Sequence, residues 1–182
     1  MTVDTIRGPF GASKPITTKN VGTVAAGSTV VEYGDGIRHQ SVITVDTDLG
    51  DIPGGAALGL GVLVYTFPGG ALDIKASYMS MALTQTDGNI TDDTPYVGLG
   101  SVVASGVVAD LTGTATFDDM MVNQAASDCN GTATVAHVAT SKLTATADAH
   151  TAYFNVADTW ASSGDDACAI AGTIIIEWTF VA

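Results

Sequence analysis

From residue 173 to residue 180 four of the five large apolar residues fall on every second position: Ile174, Ile176, Trp178 and Phe180 share one parity, while Ile175, Glu177 and Thr179 share the other. Only an extended strand puts residues two apart on one side, so this segment has a face for a core and a face for its surroundings. The same period sets Ala152, Phe154 and Val156 against Thr151, Tyr153 and Asn155, and Leu72, Ile74, Ala76 and Tyr78 against Asp73, Lys75 and Ser77. In the last of these the phase then changes. Met79, Met81 and Leu83 take the parity that Asp73 and Lys75 held, which predicts a β-bulge or bend near Tyr78 and Met79.

Further strands rich in Val, Ile and Thr are expected at 29–33, 38–45, 56–67, 97–108, 132–138 and 143–146. Turns fit between them at Gly34-Asp35-Gly36, Pro53-Gly54-Gly55, Pro68-Gly69-Gly70, Asp87-Gly88-Asn89 and Ser163-Gly164-Asp165. One or two helical turns are expected at 117–126, where Thr116 would cap and Asp118 and Asp119 would suit the positive end of the helix dipole. The chain has 182 residues, enough for one domain and too few for two ordinary ones. The pattern predicts an all-β fold, a β-sandwich of jelly-roll-like architecture, over residues 28–182.

Residues 1–27 break that pattern. They hold Pro9, Pro15 and several glycines, show no period, and carry Arg7, Lys14 and Lys19 against Asp4 alone. They read as an extended N-terminal interaction arm with apolar anchors at Ile6, Phe10 and Ile16, or alternatively as a disordered terminus. The arm has a net charge of +2 in a chain of −13. So acidic a chain is poorly suited to neutralising phosphates, which argues against nucleic acid and against an anionic membrane as partners. The longest apolar stretch, 56–67, is shorter than a spanning helix needs and is broken by Gly59 and Gly61. The first nine residues lack the charged and apolar regions of a secretory signal, so the expectation is synthesis in the cytosol without export by that route.

Catalytic motifs are missing at the level of sequence: there is no GxSxG, HExxH or P-loop. His39, His137 and His150 lie far apart without Cys or carboxylate at ligand spacing, and are expected on strand surfaces. Asp46, Asp48 and Asp51, and the run Asp87, Asn89, Thr91, Asp92 and Asp93, place oxygen donors close together without the EF-hand spacing; acidic solvated turns are the plainer reading. The stretch from Tyr153 to Trp160 combines aromatics with Asn155 and Asp158, as a sugar platform would, and equally as a strand ending in a core tryptophan would. No catalytic residue, metal ligand or cofactor is assigned. Cys129 and Cys168 both border a polar loop and an apolar strand and are expected to form a disulfide, with two separate buried thiols as the alternative.

Three segments carry a resemblance: Gly8-Pro9-Phe10-Gly11-Ala12-Ser13-Lys14-Pro15, Asp46-Thr47-Asp48-Leu49-Gly50-Asp51-Ile52-Pro53, and Gly172-Thr173-Ile174-Ile175-Ile176-Glu177-Trp178-Thr179-Phe180. In overall texture the chain resembles the head decoration or cement proteins of tailed bacteriophages, especially structural proteins of phages of marine bacteria. The resemblance implies a non-enzymatic virion protein, made in the host cytoplasm, that binds the capsid exterior and bridges major capsid subunits. Under it, Arg7, Phe10, Lys14, Ile16 and Lys19 of the arm would contact the major capsid protein, with homo-oligomerisation open. A carbohydrate- or receptor-binding jelly-roll module is the alternative function.

Overall fold

The computed structural model describes residues 15–16, 21–35, 37–52, 57–90, 94–126, 139–143, 150–160 and 166–181, with the backbone alone at 15–16 and 139–143. The described residues form eleven strands and no helix: β1 (Pro15–Ile16), β2 (Thr23–Val24), β3 (Ser28–Gly34), β4 (Arg38–Ile52), β5 (Ala57–Thr66), β6 (Leu72–Gln85), β7 (Tyr96–Gly100), β8 (Met121–Ala125), β9 (Ala139–Leu143), β10 (Thr151–Thr159) and β11 (Asp166–Phe180). They make two antiparallel sheets, ordered β1-β3-β4-β11-β6-β9 and β2-β5-β10-β7-β8. The molecule is an all-β sandwich.

The pairing follows a simple rule from β4 onward. β4 pairs with β11, β5 with β10, β6 with β9 and β7 with β8, all antiparallel. These are the rungs of one long hairpin whose two arms are the first and last halves of the domain. Two further pairings, β11 with β6 and β10 with β7, roll that hairpin up into two facing sheets.

Parity decides what lies between the sheets. On β11, Ile174, Ile176 and Trp178 are buried, and Phe180 packs beside them, as their alternation predicts. On β10, Ala152, Phe154 and Val156 are fully buried and face Val62, Leu60, Leu99 and Val97 of the neighbouring strands in register. The change of phase in β6 is real, but it comes earlier than Tyr78 and Met79. The register shifts between Ile74 and Ser77, opposite Glu177 and Trp178, so Lys75 and Ala76 absorb the extra residue. Ser77 therefore joins Met79, Met81 and Leu83 on the buried side, and Tyr78 turns to the outer face.

Other boundaries depart from the sequence expectation. β4 runs to Ile52 because Gly50, at φ 97°, and a register shift opposite Ala167 and Ala169 let the strand bend and keep both Leu49 and Ile52 inward. β7 stops at Gly100, and 101–120 is irregular rather than strand. The expected helical turns at 117–126 are instead four bent residues followed by β8, where Met121 pairs with Leu99 and is fully buried. Helix propensity lost there to a vacant sheet edge. The strand expected at 132–138 lies outside the described residues.

Candidate functional site

On β3 the inward parity belongs to Ser28, Val30, Glu32 and Gly34, which sends a carboxylate into the sandwich. Glu32 is only 4% exposed. Its Oε1 accepts the hydroxyl of Tyr65 from the opposite sheet and the backbone N–H of Gly22 at 3.2 Å. Its Oε2 accepts the Ser41 hydroxyl at 3.2 Å and lies 3.4 Å from His39 Nδ1. Burial alone would push this carboxyl up, but the contacts from His39, Tyr65 and Gly22 outweigh it and hold Glu32 below its usual range. Tyr65 moves the other way, raised by burial and by the Glu32 charge.

An aromatic wall closes the cluster. The His39 ring stacks on Trp178 at 3.9 Å between centroids and 8° between planes, Trp178 Nε1 donates to Ser41 Oγ at 2.9 Å, and Phe67 and Phe180 meet Trp178 edge-on. Ser41 and His39 both turn to the carboxylate rather than to each other, so the serine proton is committed to Glu32. This arrangement holds an ionised carboxylate inside the core, ties β3 and β4 to β5, and fixes the N-terminal segment at Gly22, between the strands that join it to each sheet. It corrects the expectation for His39, which is buried rather than on a strand surface. His150 is half-buried just before β10, and His137 lies outside the described residues.

A second carboxylate organises one end of the sandwich. Asp166, at the start of β11, accepts N–H groups from Asp87 at 2.8 Å, Asn89 at 2.7 Å and Ile90 at 3.1 Å in the β6–β7 connection, and from Ala167 at 2.8 Å. Desolvation works against its charge, but the four amides prevail and bring it down to about 2. Asp87 and Asn89 thus contribute backbone N–H groups to this cap, and Thr91, Asp92 and Asp93 lie outside the described residues. Asp46, Asp48 and Asp51 are spread along β4 instead of gathered in a loop, and among the described residues no three His, Cys, Asp or Glu are placed to hold a metal.

The outer side of the second sheet has an unusual floor. Gly61 and Gly98 flank Asn155 in register, Gly59 flanks Ala157, and Gly100 lies opposite Tyr153. Lacking side chains, these positions let segment 101–120 lie directly on the strands; a Cβ on Gly100 would stand 2.4 Å from the Phe117 backbone, and one on Gly61 3.2 Å from Ala104 N. Asn155 fastens the segment: its Oδ1 accepts the Ala104 N–H at 2.9 Å, and its Nδ2 donates to Val102 O at 2.9 Å and Phe117 O at 2.8 Å. Ala104, Leu111, Phe117 and Ala157 form a small core of their own beneath it. The crest of the segment presents Val102, Val103 and Val107 to solvent, the last 86% exposed.

The residues singled out from the sequence fare differently. Arg7, Phe10, Lys14 and Lys19 lie outside the described residues, and Ile16 is placed by its backbone opposite Glu32 in the β1–β3 pair. Cys168 is buried on β11, while Cys129 lies outside the described residues, as does the bridge expected between them. Trp160 is fully buried and donates Nε1–H to Leu58 O at 3.0 Å, which makes it a core tryptophan rather than a stacking surface. Sequence patterning does not single out Glu32 or Asn155. Glu32 shares its parity with Val30, a signal present in the sequence, whereas nothing local to Asn155 marks it as a clasp for a segment 38 to 53 residues away. Comparison with family models, curated proteins and solved structures finds no match.

Proposed function

We propose that this chain is a non-enzymatic virion structural protein built on a jelly roll, a decoration or cement protein that binds the outer surface of a capsid and bridges its major subunits. The observation that supports the reading is the strand order, β4-β11-β6-β9 in one sheet and β5-β10-β7-β8 in the other, which we read as the rolled hairpin of a double-sheet jelly roll, an architecture used by capsid and lectin domains. The described polar clusters support it, since Glu32, Asp166 and Asn155 are each spent on holding backbone and strands together. A rigid body of this kind strengthens a shell by adding buried area at each subunit seam.

In this reading residues 1–27 form the attaching arm, which the sandwich itself holds at β1 (Pro15–Ile16) and β2 (Thr23–Val24). Arg7, Phe10, Lys14, Ile16 and Lys19 supply its charge and apolar anchors, and Gly22, held by Glu32 and Tyr65, marks where it meets the body. Full-length chain should co-sediment with intact particles in fixed ratio to the major capsid protein. A chain lacking residues 1–20 should keep the β-domain, judged by circular dichroism, and lose the particles. Unchanged occupancy after the deletion would refute the arm, and absence of the intact chain from purified virions would refute the function.

A further inference from the structure

On the outer face of the first sheet, β4 sets one basic and one acidic residue at equal distances to either side of an uncharged centre. Val31, Val42, Ile175 and Tyr78 stand in one register row across β3, β4, β11 and β6, and Thr29, Thr44, Thr173 and Ser80 form the next row. Val31 is 46% exposed, and Thr29 and Thr44 are exposed with it. Among the described residues these two rows hold no charge, although the chain as a whole is at −13. Along β4 the outward parity then reads Arg38, Gln40, Val42, Thr44, Asp46, with Arg38 and Asp46 both exposed and Gln40 buried, donating to Glu177 of β11 at 3.2 Å. Glu177, Asp73 and Lys75 also stand on this face, at the Arg38 end. Arg38 and Asp46 lie four positions to either side of Val42.

We infer that this face is an interface between two copies of the chain, packed sheet to sheet about a twofold axis running along the row Val31-Val42-Ile175. Rotation about that axis reverses the strand direction of the second copy, so each row residue meets its own counterpart and Arg38 of each copy comes over Asp46 of the other. This is the self-complementarity a twofold contact requires. The other in-plane axis, along the strands, would set Asp46 over Asp46 and is disfavoured by charge. Four strands by the nine residues from Arg38 to Asp46 give a footprint of about 20 by 27 Å, on the order of 500 Å² per copy, which just clears the roughly 1,000 Å² total expected of a specific interface. The dimer is therefore a modest one, and the steering charges at its ends set its register.

The inference is independent of the virion reading, because it is tested on the purified full chain without particles. Sedimentation velocity up to about 100 μM should show a concentration-dependent dimer. Ile175→Lys, on the outer face, should weaken association at least about tenfold with an unchanged thermal melt. Arg38→Asp and Asp46→Arg should each weaken it and make two like-charged contacts. The double variant carrying both should restore the dimer, since every exchanged pair is again opposite. A chain that stays monomeric throughout overturns the inference, as does a dimer indifferent to I175K. So does a double variant no better than its parents. The exposed single-charge variants keep the test valid even if I175K fails to fold.

Discussion

Glu32 on β3 of one sheet accepts the hydroxyl of Tyr65 on β5 of the other, across the interior of the sandwich. A hydrogen bond to a buried carboxylate is worth more than a neutral one, about 1.5–3 kcal/mol, and its loss leaves the charge short of a donor. Tyr65→Phe should therefore destabilise the fold by about that amount in urea titration. A change below about 0.5 kcal/mol would show that Glu32 does not depend on this donor.

The Asp166 carboxyl has its pKa lowered from 3.8 to about 2 in the folded chain. The unfolded chain therefore binds this proton first as pH falls, so the contribution of Asp166 is complete above pH about 4 and is lost on the way down to about 2. Its size is at most about 2 kcal/mol, reduced by solvent screening of the carboxylate. Stability measured against pH should fall in that window, and Asp166→Asn should flatten part of the slope. Glu32, also held below its usual range, should add acid sensitivity of the same sign. An identical slope in the variant would mean that the Asp166 cap is not formed.

Gly100 and Gly113 make a matched pair. A Cβ at Gly100 would enter the backbone of Phe117 and Thr116 at 2.4 Å, whereas one at Gly113 meets nothing within 4 Å. Gly100→Ala should lift segment 101–120 off its floor and lower stability by about 1–3 kcal/mol, with faster amide exchange at Ala104, whose N–H Asn155 holds. Gly113→Ala should stay within about 0.5 kcal/mol. Equal melts for the two would refute the floor.

Trp178 is 1% exposed, stacks on His39 and donates to Ser41. Trp178→Ala should cost about 3–5 kcal/mol, combining lost burial with a cavity beside the carboxylate cluster. A loss below about 1 kcal/mol would contradict the packing of the inner face.

Parity is legible in the amino-acid sequence alone. The inward residues of β10 and β11 follow from alternation, because a strand's two faces are fixed by covalent geometry. The phase change in β6 is legible too, although its place at Lys75 and Ala76 depends on the register with Glu177 and Trp178 on β11, a strand about a hundred residues away. Local chemistry misleads where a distant partner intervenes. The segment 117–126 has helical signals, yet Met121 finds an unpaired edge at Leu99, and pairing along that edge outweighs propensity.

The sequence by itself therefore determined the class of fold, the inward residues of the clearest strands and the acidic character of the molecule. It did not determine strand order, because hydrogen bonds between strands are made by backbone that is chemically alike at every position. Nor did it determine what the polar residues do. Glu32 became an anchor only when β5 brought Tyr65 opposite it, and Asn155 a clasp only when Gly61 and Gly98 left the space on either side bare. The spacing of Arg38 and Asp46 four positions to either side of Val42 is written in the sequence, but only the tertiary structure left them exposed, since exposure depends on which side the other sheet covers.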